Sequence, residues 1–307
     1  MELVHEQQPD PATASACDQV LASLARGASI ELTPRQIQAT DDLQDWLSPG
    51  TSVYVPFLPN ADYGASIEAC QRLVNLGLVP VPHFPARAIE SHLQAQEWLD
   101  RLDLAGVRHL MVIAGDSPSP AGPFADSLAL LTAGVLRDKP FALGVAGHPD
   151  GHPVAGHPEL MEALRIKRDY AAATDTPMWV VTQFTFEADI CIDWLEAAEQ
   201  YLSPLPVYVG LAGPTKLRTL MAYAAQCGVG VSARALLRHP ETARLLRAWT
   251  PDGLVHALAR HQVEQPMTLF RGIHIFPFGG LKRASEWLTG LEQEASQRHQ
   301  AANRNSL

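Results

Sequence analysis

The chain has 307 residues, 47% hydrophobic and 18% charged, which is ample material for one large core. A formal net charge of −10 and the lack of any basic run argue against a nucleic-acid partner, because phosphate backbones are met by clustered cations. Cys17, Cys70, Cys191 and Cys227 form no CxxC pair, the start has no apolar signal region, and no apolar run nears the ~20 residues a bilayer needs; a reduced, cytoplasmic protein without membrane contact is expected.

Residues 1–22 read as a flexible N-terminal segment and 293–307 as a polar C-terminal tail. Between them, 23–292 alternates short apolar runs with longer amphipathic ones. The short runs are 28–33 (ASIELT), 52–58 (SVYVPFL), 79–84 (VPVPHF), 109–114 (HLMVIA), 141–146 (FALGVA), 178–184 (MWVVTQF), 206–211 (PVYVGL) and 272–276 (GIHIF). They are mostly continuous rather than alternating, as in strands covered on both faces. The longer runs carry apolar residues at i, i+3, i+4 and i+7. Helices are predicted over 65–76, 89–105 and 215–227, each followed by a glycine (Gly77, Gly106, Gly228) suited to the C′ position. Others are predicted over 159–170 and 282–296, with 233–265 holding two or more helices broken at Pro240 and Pro251.

Eight strands alternating with helices allow a closed (β/α)8 barrel or a doubly wound open sheet. A dinucleotide-binding sheet would carry a glycine-rich turn after its first strand, where residues 30–36 read IELTPRQ instead. A single-domain α/β TIM barrel is therefore favoured, at a size typical of such barrels.

In such a barrel the loops after the strand C-termini form one mouth, where reactive groups gather. Polar residues stand at that end of several predicted strands: Glu31 on the first, His83 on the third, Asp116 after the fourth, His148 and His152 after the fifth, Gln183 on the sixth. A carboxyl group in an apolar strand is costly to bury unless paired or functional, and Glu31 is open to both readings. The HPDGH loop is open to a ligand contact or to a metal, although no third ligand completes a metal set. The helix after it would offer N–H donors to a phosphate. Asp116 precedes a Ser/Pro/Gly loop and is open to a turn cap as well as to a charge role. Gln183 suits an amide-like ligand edge.

Taken together, ASIELTP, VPHF, VIAGD, VAGHPDGHP and VVTQFTFE, in that order over about residues 25–290, resemble methylenetetrahydrofolate reductase. The resemblance implies a barrel with FAD at the strand C-termini. The implied reaction interconverts 5,10-methylenetetrahydrofolate and 5-methyltetrahydrofolate by hydride transfer, with NAD(P)H as electron donor. It places a general acid at Glu31 and sets Asp116 beside flavin and pterin. It puts His83, His148, His152 and Glu162 against the cofactor, and Gln183 and Tyr223 against the substrate. The chain departs from the family pattern at Asp169, where a Lys is expected, at the insertion 174–177 (TDTP), after the second strand, and in HIFPFGG. Opening the folate ring to an iminium needs a proton on nitrogen, which a carboxylic acid delivers if burial raises its pKa towards neutrality. Two rival readings stand beside this one: a diverged barrel flavoprotein acting on another folate or one-carbon substrate, and a non-catalytic barrel that has lost FAD. The electron donor, NADH or NADPH, and the direction of reaction are not set by the sequence, and a homo-oligomer is left open.

Overall fold

A computed structural model describes residues 11–58, 61–226 and 248–305. Its first half runs α1 (Pro11–Arg26), β1 (Ser29–Glu31), α2 (Pro34–Ala39), α3 (Leu43–Trp46), β2 (Ser52–Val55), α4 (Tyr63–Asn75), β3 (Val79–Pro85), α5 (His92–Leu104), β4 (His109–Ile113) and α6 (Ser127–Thr132). The second half runs β5 (Ala142–Gly147), α7 (His157–Thr174), β6 (Met178–Thr182), α8 (Ala188–Leu202), β7 (Val207–Ala212), β8 (Thr215–Lys216), α9 (Leu217–Gln226), β9 (Ala248–Trp249), α10 (Asp252–Glu264), β10 (Phe270–Phe276) and α11 (Leu281–Asn305).

Eight parallel strands close in the order β1-β10-β7-β6-β5-β4-β3-β2, each overlapping one of the eight predicted runs. Closure is made where Ile30 pairs with Val53 on one side and Ile275 on the other. The fold is thus a (β/α)8 TIM barrel. Alternation along the strands sorts the residues into two layers. Ile30, Val53, Val112, Val145, Val180, Val209 and Ile273 join the main core beneath the helices. Tyr54, Val81, Met111 and Val181, with Trp179 and Tyr208, form a separate cluster that fills the lumen. Gly77 and Gly106 follow α4 and α5 with φ of +73° and +82°, the left-handed conformation that ends a helix without a Cβ penalty. Cys70 and Cys191 are buried thiols on α4 and α8.

Both chain ends differ from expectation. Residues 11–22 are the opening turns of α1 rather than a flexible segment, and the helix predicted to stop at Ser296 continues to Asn305 as α11. These helices cover each other's apolar sides: Leu21 and Leu24 of α1 and Leu291 and Ala295 of α11 are all buried. Arg298 binds Asp18 at 2.9 Å, and Ser15 Oγ meets His299 Nδ1 at 2.9 Å, so the polar residues of the expected tail are engaged. The predicted helix over 215–227 starts two residues late, because Thr215–Lys216 pairs with Ala248–Trp249 in a short antiparallel ladder. Cys227, Gly228, Pro240 and most of the predicted helical stretch before Pro251 lie outside the described residues, as do residues 1–10. Among the described residues no helix is long and apolar enough to cross a membrane.

Candidate active site at the barrel mouth

Glu31 is the last residue of β1. The strand stops there because Thr33 caps α2: its hydroxyl accepts from the Gln36 N–H at 3.2 Å while the Gln36 side chain accepts from the Thr33 N–H at 2.9 Å, with Pro34 at the first helical position. Ile30 points outward into the core, so Glu31 points into the lumen at its open end. Its Oε2 lies 3.5 Å from His83 Nε2, with side-chain exposures of 21% and 16%. Burial pushes the Glu31 carboxyl up to about 8 and the His83 imidazole down to about 4. Each shift disfavours the charged form, so this is a neutral pair near pH 7 rather than a salt bridge. The Tyr63 hydroxyl donates to the His83 carbonyl at 3.1 Å and steadies that strand end. His274 of β10 is buried alongside, its Nδ1 2.9 Å from Ser29 Oγ; burial, reinforced by His83, holds it down to about 3.

The second sector of the mouth is built by the loops after β4 and β5. Arg87 braces the first loop, donating to the carbonyls of Ala125 at 2.7 Å and Ser117 at 3.2 Å. Asp116 is exposed in that loop, directly after Gly115, whose φ is +89°. In the HPDGH loop the rings of His148 and His152 stand edge to face at 5.0 Å. Burial first, then the positive potential of His152 and Lys167, pushes His148 down to about 4. Lys167 of α7 is only 7% exposed, and burial pushes its ammonium down to about 8 against the opposing pull of Asp126. The Asp126 carboxylate is itself committed to capping α6 through Ala129 N–H at 2.8 Å. Among the described residues no hydrogen bond or ion pair is formed by the Lys167 ammonium. Glu162 is not brought into this group: it is exposed, and Arg165 takes both its oxygens at 2.8 and 2.5 Å. No three His, Cys, Asp or Glu side chains among the described residues form a set able to hold a metal.

The third sector is aromatic. Gln183 follows β6 and its N–H donates to the Gly147 carbonyl at 2.8 Å, locking the two strand ends together. Its side-chain oxygen accepts from the Phe184 N–H at 3.0 Å, which leaves the amide –NH2 as a donor. Phe184 contacts Phe276 and Phe278 with ring centroids 5.5 and 5.0 Å apart, and Tyr223 stacks on Phe278 at 4.2 Å. Sequence reasoning singled out Tyr223 but not this wall, because Phe276 and Phe278 meet Phe184 only when β10 and β6 flank β7 in the closed barrel. Lys167, Arg87 and His274 were missed for the same kind of reason, since their partners are remote in sequence. The only local signal was a polar residue on an otherwise apolar strand at His274.

No protein-family model matches the chain. Among solved structures, an uncharacterized Clostridium thermocellum protein that binds two copies of 5-methyl-5,6,7,8-tetrahydrofolic acid has a TM-score of 0.62 and 9% identity, covering 90% of this chain and 99% of its own. Oxaloacetate acetylhydrolase has a TM-score of 0.48 at 14% identity over 91% of this chain and 85% of its own. Dihydropteroate synthase from Thermus thermophilus has 0.44 at 14% identity over 87% of this chain and 92% of its own. The likeness to the C. thermocellum protein is one of fold, in agreement with the closed barrel of eight parallel strands.

Proposed function

We propose that this chain is a flavin-dependent oxidoreductase that interconverts 5,10-methylenetetrahydrofolate and 5-methyltetrahydrofolate, with Glu31 as general acid and NAD(P)H as electron donor. The observation that carries the reading is the carboxyl of Glu31, desolvated at the mouth end of β1 and facing a neutral His83. A carboxylic acid that keeps its proton at neutral pH is what ring opening of the folate requires. The C. thermocellum barrel, which binds 5-methyltetrahydrofolic acid, supports a folate as the ligand class.

FAD would supply the hydride. The residues present fit such a group. Lys167 is a largely buried lysine whose charged form burial disfavours, and an anion such as a diphosphate would complement it. His148 and His152 stand beside it and would flank the group, and His83 would meet it from the third strand. The wall of Phe184, Phe276, Phe278 and Tyr223 offers an apolar face to a planar ring.

In the forward direction Glu31 donates its proton to the substrate nitrogen whose bond to the methylene carbon breaks, leaving an iminium. Glu31 is then a carboxylate beside the developing cation, and Asp116 would face the substrate from the loop after β4. His83, held neutral, orients the carboxyl without competing for its proton. Gln183 offers its amide to the pterin edge. Reconstitution tests the reading: FAD should co-elute with the protein, and methyltetrahydrofolate should bind to the loaded form. A colourless protein that takes up no FAD would overturn it.

A further inference from the structure

Beneath Glu31 the lumen is closed by three rings that the mechanism above does not use. The Trp179 Nε1–H donates to the Tyr54 hydroxyl at 2.8 Å. β2 and β6 stand four places apart in a closed order of eight strands, so this bond crosses the barrel from one wall to the other. Tyr208 contributes the third ring of the same cluster. Two glycines make room for them. Gly144 is the register partner of Trp179 and Gly272 that of Tyr208. A Cβ at Gly144 would stand 2.8 Å from the Trp179 ring, and one at Gly272 would stand 2.9 Å from the Tyr208 ring. Ring and glycine are thus matched across neighbouring strands, where barrel lumens are more often filled by layers of Val, Ile and Leu.

The layer lies directly against the acid, for Tyr54 is the register partner of Glu31. The Trp179 indole N–H is satisfied by the Tyr54 phenol oxygen, so this donor needs no bridging water. We propose that Tyr54, Trp179 and Tyr208 form a water-excluding floor, and that Tyr54 and Trp179 are positioning residues that keep the Glu31 carboxyl dry from below and its proton available only to the mouth. Burial is the cause acting on Glu31, which agrees with a floor rather than a charged neighbour setting its proton affinity. The catalytic consequence rests on the reading of Glu31 as general acid; the floor itself does not.

The test is a pH titration of the Glu31 carboxyl by 13C NMR in full-length protein labelled at glutamate, with the resonance assigned through Glu31→Gln. In the native chain the midpoint should lie at about 8. In Trp179→Ala, and to a smaller extent in Tyr54→Phe, which removes the acceptor without opening a cavity, it should fall by about one pH unit or more as water enters. Trp194→Phe is the control. Trp194 is itself buried but packs on the outer layer against Gly147, so its loss should lower thermal stability and leave the midpoint in place. Folded Trp179→Ala and Tyr54→Phe that both titrate at the native midpoint would overturn the floor; should Trp179→Ala not fold, Tyr54→Phe alone decides. A shifted midpoint in a protein that turns over no folate would uphold the floor and sink the substrate reading instead.

Discussion

Glu31 Oε2 and His83 Nε2 stand 3.5 Å apart across the mouth, and burial drives both to their neutral forms: the carboxyl to about 8, the imidazole to about 4. Between those limits the contact is an acid facing an uncharged ring. Glu31→Gln preserves size and removes the proton. Reduction of methylenetetrahydrofolate should fall by about 10²–10⁴-fold, the usual worth of a general acid, while FAD uptake is unchanged. Stopped-flow reoxidation of the loaded enzyme measures this, and near-native turnover would remove Glu31 from the role.

The pH dependence follows from the same carboxyl. Its acid form is lost as pH rises through about 8, so folate reduction should decline on that limb, with one proton controlling it. A rate profile flat from pH 6 to pH 9, taken under saturating folate, is the result that this account does not allow.

Stability should depend on pH in the opposite sense at low pH. His83, His148 and His274 titrate at about 4, 4 and 3 in the folded chain against an ordinary 6.5. Between about 4.5 and 6.5 the unfolded chain therefore binds three protons that the folded chain does not. Glu31 acts against this, since the folded carboxyl keeps one proton that the unfolded chain has lost above its ordinary 4.5. Over these four groups the net is 3 − 1 = 2 protons favouring the unfolded chain, so stability should fall on acidification by about 3 kcal/mol per pH unit. Above about 6.5 the Glu31 contribution leads and stability should fall gently as pH rises, until Lys167, whose folded value of about 8 lies below its ordinary 10.5, acts in the opposite sense near pH 8. Thermal melts across this range should show a maximum near neutrality, and Glu31→Gln should flatten the alkaline side.

Lys167→Met separates binding from folding. Burial disfavours the charged form of Lys167, so an apolar side chain of similar length costs little there and the variant should melt at or above the native temperature. It should also retain FAD at least roughly tenfold less tightly, as expected when a charged partner of an anion is lost. Equilibrium dialysis with FAD checks this; a lowered melting temperature with unchanged retention would make Lys167 a structural residue.

The barrel was legible because its strands are continuous apolar runs of the right length, and Glu31 and His83 stood out as polar residues within them. Other parts of the site exist only after closure. Tyr54 and Trp179 read as ordinary strand residues until β2 and β6 face each other, and Ser29 and His274 meet although they stand 245 positions apart. Lys167 lies in a charged stretch that resembles a solvated helix face, and only the packing of α7 against its neighbours buries it. Glu162, three residues before Arg165 on the same helix, is instead drawn into a surface ion pair. Polar composition concealed the terminal helices α1 and α11, whose apolar residues are buried mainly against one another and, for α1, also against α10.

The most direct test of the central claim is an anaerobic absorption experiment on FAD-loaded protein. The account predicts that NADH or NADPH bleaches the flavin band and that methylenetetrahydrofolate then restores it, with 5-methyltetrahydrofolate as product. A flavin that bleaches but stays reduced when methylenetetrahydrofolate is added would contradict it.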